Sequence, residues 1–135
     1  MPIVLGVLVK LVPLTSLRPH ERIDESRLWE VLESIRSEGV LHYPVIVDSK
    51  TLVILDGHHR VESLRILGAK LIPALLVDYD DDCVTVGSWR PGVRVTKDMV
   101  RLHGLRGNLL PPKTSRHRLC FEVPRIDVPL DKLKG

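Results

Sequence analysis

The stretch that most limits how this chain can fold is LVILDGHHRVESLRILGAK, Leu52 to Lys70. Its first four residues form an apolar run suited to a buried strand. Asp56-Gly57 is a turn pair, and Val61, Leu64 and Leu67 then recur at helical spacing up to Gly68. A strand that passes so abruptly into a helix sends the helix back over the strand's own sheet, so the fold mixes helix and sheet in layers. The joint also concentrates polar chemistry in Asp56, His58, His59 and Arg60. The first N–H groups of a helix lack intrahelical partners and the dipole is positive there, which suits an anion, phosphate above all. Gly57 allows close backbone approach, Arg60 brings a bidentate fork, and the histidines bring two donors. Asp56 does not fit simple phosphate binding. An acid beside a phosphate points to a bridging metal or a proton acceptor. A plainer reading stands beside this one: Asp56 as a helix N-cap and His58-His59-Arg60 as a solvated first turn. Zinc fits poorly, because adjacent side chains diverge on a helix and neither cysteine has a spacing partner.

The flanking pattern completes a mixed chain. Residues 3–12 read as one or two strands and 13–21 as a loop broken by Pro13 and Pro19. A helix from Ser26 to Glu38 follows from Leu28, Val31, Leu32 and Ile35, with Asp24 or Ser26 as cap and Gly39 at its end. Residues 43–48 and 51–55 read as a hairpin, His58 to Leu67 as the second helix, and 71–79 and 83–89 as strands around an Asp80-Asp81-Asp82 turn. A short helix fits 96–103, no regular pattern fits 104–117, and the tail reads as an edge strand and a final turn. At 135 residues, 44% hydrophobic and 27% charged, this is one domain's worth of globular chain. The net charge of +3 is compatible with an anionic ligand and argues little for nucleic acid. The apolar start carries Lys10 and is too short to cross a bilayer. Cys83 and Cys120, in no metal spacing, read as two thiols in a reducing cytoplasm.

Two further clusters hold chemistry. PPKTSRHR supplies Lys113, Thr114, Ser115, Arg116 and His117 with no acid, either an anion clamp or an exposed basic loop. RPHE places Glu21 just ahead of the first helix, either in a cleft or on the surface. Trp89, at a strand end, is a core residue or a ligand wall. No GxxxxGK[ST], GxGxxG or protein-kinase motif set is present.

Taken in order, PLTSLRPHE, SIRSEGVLHYPVIVD and LDGHHRVESLRILGAKLIPALLVD resemble the ParB/sulfiredoxin superfamily, and RPHE, VILDGHHR, LIPALLVDYDDDCVTVGSW, PKTSRH and RIDVPLDKL resemble its archaeal free serine kinases. Sulfiredoxin's reactive cysteine falls where this chain has His58, and no helix-turn-helix follows residue 104 as in partitioning ParB. The resemblance implies an α+β fold with a small mixed sheet. Residues 1–135 would form a single kinase domain, with Gly104–Leu110 in place of the inserted segment of longer relatives. It implies transfer of a phosphate from ATP or ADP, with Mg²⁺, to the hydroxyl of free L-serine, giving O-phosphoserine; the expected setting is the cytoplasm, with no membrane, and DNA is not an expected partner. Glu21 and Asp56 would be catalytic; Gly57, His58, His59 and Arg60 would hold the donor phosphates; and Trp89 with Lys113, Thr114, Ser115, Arg116 and His117 would hold serine. The metal would sit mainly on phosphates, with Asp56 its candidate protein ligand. A ParB-like nucleotide-binding switch associated with DNA is the alternative, and nuclease activity a third.

Overall fold

The computed structural model describes residues 8–135. Its elements are β1 (Leu8–Pro13), a single 3-10 turn, α1 (Glu25–Glu38), β2 (Val40–Leu41), β3 (Val45–Asp48), β4 (Ile54–Asp56), α2 (His58–Ile66), β5 (Leu71–Val77), β6 (Val84–Ser88), α3 (Lys97–Arg106), β7 (Ser115–Leu119), β8 (Val128–Pro129) and α4 (Leu130–Leu133). The main sheet runs β1-β5-β3-β4, with β3 and β5 parallel and the other pairs antiparallel. The parallel pair requires a crossover, and β4 with α2 supplies it. The expected strand–turn–helix therefore lies at the centre of the fold. Of the expected first strand, residues 3–7 lie outside the described residues.

β3 is buried along its whole length because both faces of the sheet are covered. Val45 and Val47 pack with Leu14, Ile35, Leu64 and Ile72 on the α1–α2 side. Ile46 packs with Val53, Leu55, Tyr79 and Val100 on the α3 side. α1 buries Leu28, Leu32 and Ile35, Asp24 caps its first turn, and Gly39 closes it.

Three expectations are corrected. The stretch 104–117 is not irregular throughout, since α3 continues through Gly104 to Arg106. A Cβ at Gly104 would lie 2.6 Å from Val53 Cγ2, so this glycine permits close helix–sheet packing and does not end the helix. Ser115–Leu119 is a strand paired with β6, which the basic residues SRHRL concealed. In the tail, only Val128–Pro129 is strand, paired with β2.

The cysteines are also not two thiols. Cys83 and Cys120 are disulfide-bonded with Cα atoms 5.0 Å apart. The β6–β7 register pairs Val84 with Leu119 and so brings the two flanking cysteines together across 37 residues of sequence. Closing a loop of that length restricts the unfolded chain. Cys83→Ser with Cys120→Ser, or full reduction, should lower unfolding free energy by about 3–4 kcal/mol. Urea unfolding with and without reductant measures this, and coincident midpoints would refute it. Among the described residues no helix is long and apolar enough to cross a membrane.

Candidate active site

α2 begins without a side-chain cap, and its N-cap is Gly57 at φ 112. Asp56 is thus not the cap, and the plainer reading of that acid fails. The first-turn N–H groups are left to a ligand or to water. A Cβ at Gly57 would come 2.5 Å from Val45 Cγ1, so only glycine lets the turn lie this close to β3. The helix start opens on a cleft of about 630 Å³ between α1, α2 and the β6–β7 hairpin. Glu21, Asp56, Gly57, His58, His59, Arg60, Trp89, Lys113 and Ser115 all reach its wall. Segments from both halves of the chain, Glu21 in one and Trp89, Lys113 and Ser115 in the other, meet in this wall.

Glu21 is buried at 8% exposure. The chain turns at Lys113 (φ 52), and the next two N–H groups converge on the Glu21 carboxylate from Thr114 (3.2 Å) and Ser115 (3.1 Å). The Ser115 hydroxyl also donates to it, and His20 Nε2 lies 3.2 Å away. Burial alone would raise this carboxyl, but the hydrogen bonds from His20, Ser115 and Thr114 prevail and hold it down at about 2. Asp56 differs. Its side chain is exposed at the end of β4, with Arg60 Nη2 3.6 Å away. Glu21 and Asp56 therefore have unlike environments, one fixed and charged, the other free to meet a ligand.

The histidines are not charged donors. His58 Nε2 accepts the backbone N–H of His20 at 3.2 Å, and His59 Nε2 accepts that of Asp24 at 3.1 Å. A neutral ring that accepts at Nε2 keeps its proton on Nδ1, so each offers one N–H. Burial pushes His58 down to about 3, the His20 ring adding to the effect, and burial lowers His59 as well. These contacts tie α2 to the RPHE loop and to the start of α1. Arg60 is partly committed: Nη1 donates to the carbonyls of Tyr43 (3.1 Å) and Pro44 (2.9 Å), leaving Nη2 on the Asp56 side.

The basic loop divides. Lys113 and Ser115 face the cleft, while Thr114, Arg116 and His117 are not part of its wall. Thr114 Oγ1 donates to the Pro111 carbonyl, Arg116 lies over the Trp89 ring at 4.3 Å, and His117 Nε2 pairs with the Tyr79 hydroxyl at 2.7 Å. The sequence reading missed the α1 wall: Arg27, Glu30, Ser34 and Glu38, with Arg22, His42 and Tyr43 nearby. A signal existed, because these α1 positions recur at three- and four-residue spacing beside the buried stripe.

Among the described residues no group of three His, Cys, Asp or Glu side chains could hold a metal ion. Magnesium needs less, since it keeps several waters and takes one or two carboxylates together with phosphate oxygens. Asp56, exposed next to the uncapped helix start, fits that donor set.

An open helix start and a buried carboxylate thus share one cleft of a small α+β domain, an arrangement with room and donors for an anionic ligand. The chain belongs to the ParB N-terminal domain family, whose match covers residues 5–86. It is 36% identical over 111 residues to the ATP-dependent L-serine kinase of Staphylothermus marinus, covering 72% of this chain and 44% of that protein. It is 32% identical over 87 residues to the ADP-dependent L-serine kinase of Thermococcus kodakarensis, covering 62% and 36%. The chain thus spans less than half the length of these relatives. In fold it is similar to a free serine kinase in complex with AMP, at a TM-score of 0.84 and 20% identity, with 93% of each chain covered.

Proposed function

We propose that residues 1–135 act as one catalytic unit that transfers a phosphoryl group from a purine nucleotide, ATP or ADP, to the hydroxyl of free L-serine in the cytoplasm. One observation carries this reading: Glu21 and the uncapped start of α2 open on the same cleft, with Asp56 at its edge. The names of the serine kinase relatives support the same substrates.

Phosphoryl transfer needs in-line positioning and cations around the moving oxygens, with little covalent work from the protein. The N–H groups from Gly57 onward, together with Arg60 Nη2, hold the donor phosphates. Asp56 would hold Mg²⁺ on those phosphates, where the metal supplies charge neutralisation. Trp89 and Lys113 line the acceptor end, Lys113 facing the serine carboxylate. Arg116 stiffens the indole, and Thr114 and His117 act from behind the wall by fixing the loop. Glu21 accepts a hydrogen bond from the serine hydroxyl and aims it at phosphorus.

The test is a paired assay of nucleotide consumed and O-phosphoserine formed, by mass spectrometry, across a serine titration with ATP or ADP. Stoichiometric phosphoserine is the expected result. Consumption independent of serine would overturn the reading, and consumption stimulated by DNA would favour the ParB-like switch.

A further inference from the structure

We infer that His20 is the terminal proton acceptor of this reaction, reached from Glu21 through the Ser115 hydroxyl. The inference rests on the serine kinase reading and adds to it a residue that is not part of the cleft wall.

His20 is wholly buried. Its Nδ1 lies 2.7 Å from the Ile54 carbonyl, which can only accept, so the ring donates there and in its neutral form carries its lone pair at Nε2. That lone pair has two neighbours, Ser115 Oγ at 2.8 Å and Glu21 Oε2 at 3.2 Å. Ser115 Oγ is also bonded to the same Glu21 oxygen. The hydroxyl has one hydrogen and two acceptors, so it can serve either. A base with its second nitrogen oriented by a fixed partner, within hydrogen-bond reach of a carboxylate that faces the substrate cleft, is the arrangement proton transfer requires.

The carboxylate alone is a poor final acceptor. With the ring donating to it, Glu21 is held at about 2, so a proton shared by the pair rests on His20 and not on the carboxylate. Imidazole is intrinsically the stronger base. The ionisable groups facing His20 are Glu21 on its own loop, His58 on α2 and His117 on β7, the two rings at 4.7 and 6.0 Å. Burial pushes both of those rings down to about 3, so they stay neutral near pH 7 and neither takes the proton.

The serine O–H bond breaks as its oxygen bonds to phosphorus, and the phosphorus–oxygen bond to the departing nucleotide breaks with its electron pair left on the nucleotide. The proton passes to Glu21 Oε2. Ser115 Oγ takes it up while giving its own hydrogen to His20 Nε2. The result is an imidazolium beside a restored carboxylate. The proton returns along the same path to water when phosphoserine leaves.

The experiment compares wild type, His20→Asn, Ser115→Ala and Ser115→Thr for kcat, both KM values and the pH profile of kcat. Asparagine keeps a donor for the Ile54 carbonyl and removes Nε2. His20→Asn and Ser115→Ala should each lose roughly 10²-fold in kcat, the scale of positioned acid–base assistance, with both KM values within about twofold. Ser115→Thr, which keeps the hydroxyl, should recover most of the rate. The acid limb of the wild-type profile should vanish in His20→Asn. If that variant does not fold, the Ser115 pair decides. A kcat within about threefold of wild type in Ser115→Ala, or an acid limb retained in His20→Asn, overturns the relay alone. Wild-type protein that forms no phosphoserine overturns the kinase reading and the relay together.

Discussion

Glu21→Gln should cut kcat by roughly 10²–10⁴-fold while nucleotide Kd stays close to wild type. The carboxylate meets donors only: two backbone N–H groups and a hydroxyl, with His20 Nε2 alongside. An amide can accept at one end only. Its NH₂ must face the Thr114 or Ser115 N–H, and one of those buried donors loses its partner. The variant should therefore also be destabilised, by about 1–3 kcal/mol. The pH dependence separates this cost from catalysis. Glu21 falls from its ordinary 4.5 to about 2 on folding, so its stabilisation is complete above about 4.5 and drains away as pH falls towards 2. The gap in unfolding midpoint between wild type and Glu21→Gln should be widest at neutral pH and shrink below 4.5. Calorimetry for nucleotide affinity completes the set. A variant that keeps more than about a tenth of wild-type kcat would remove Glu21 from the mechanism.

Much of this site is local in sequence, and that part was legible. The strand–turn–helix at 52–67 needs only its apolar period, its turn pair and its glycine, all within one short stretch. The cap at Asp24 and the stop at Gly39 are equally local. What escaped depends on pairings across the chain. Cys83 meets Cys120 only because β7 is a strand, and β7 was hidden by an SRHRL run with scant apolar content. His58 and His59 looked like donors to a phosphate because the sequence does not show their partners, the N–H groups of His20 and Asp24. Arg60 likewise spends one nitrogen on the carbonyls that lead into β3. Thr114 and His117 sit among basic residues that the sequence reads as one clamp or one exposed loop, yet they take partners away from the cleft, the Pro111 carbonyl and the Tyr79 hydroxyl, while Lys113 and Ser115 reach its wall. Residue types announced that chemistry sits here; long-range contacts decided which atoms remain free to perform it.

Gly57→Ala should abolish most nucleotide binding, and the contrast with Gly68→Ala shows why. Both glycines have positive φ, 112 and 85. At Gly68 an added Cβ meets nothing within 4 Å, so alanine there costs only backbone strain, about 1 kcal/mol, far from the cleft. At Gly57 the same methyl would lie 2.5 Å from Val45 Cγ1 and 3.0 Å from Arg60 Nη2. Val45 is fully buried in the central strand and cannot yield, so the turn must move instead. Strain and overpacking together should cost about 2–5 kcal/mol of stability. The shift falls on the N–H groups and the Arg60 nitrogen that would hold the phosphates. Charge-assisted hydrogen bonds of that kind contribute about 1.5–3 kcal/mol each, so the loss of one or two should weaken nucleotide Kd by roughly 10²-fold or more. Gly68→Ala should leave Kd unchanged. Calorimetric titration with nucleotide in the absence of serine, below the melting temperature of each variant, reads this directly. If Gly57→Ala melts earlier yet binds nucleotide as wild type does, the tight turn serves only to pack α2 on β3, and the phosphates must be held elsewhere in the cleft.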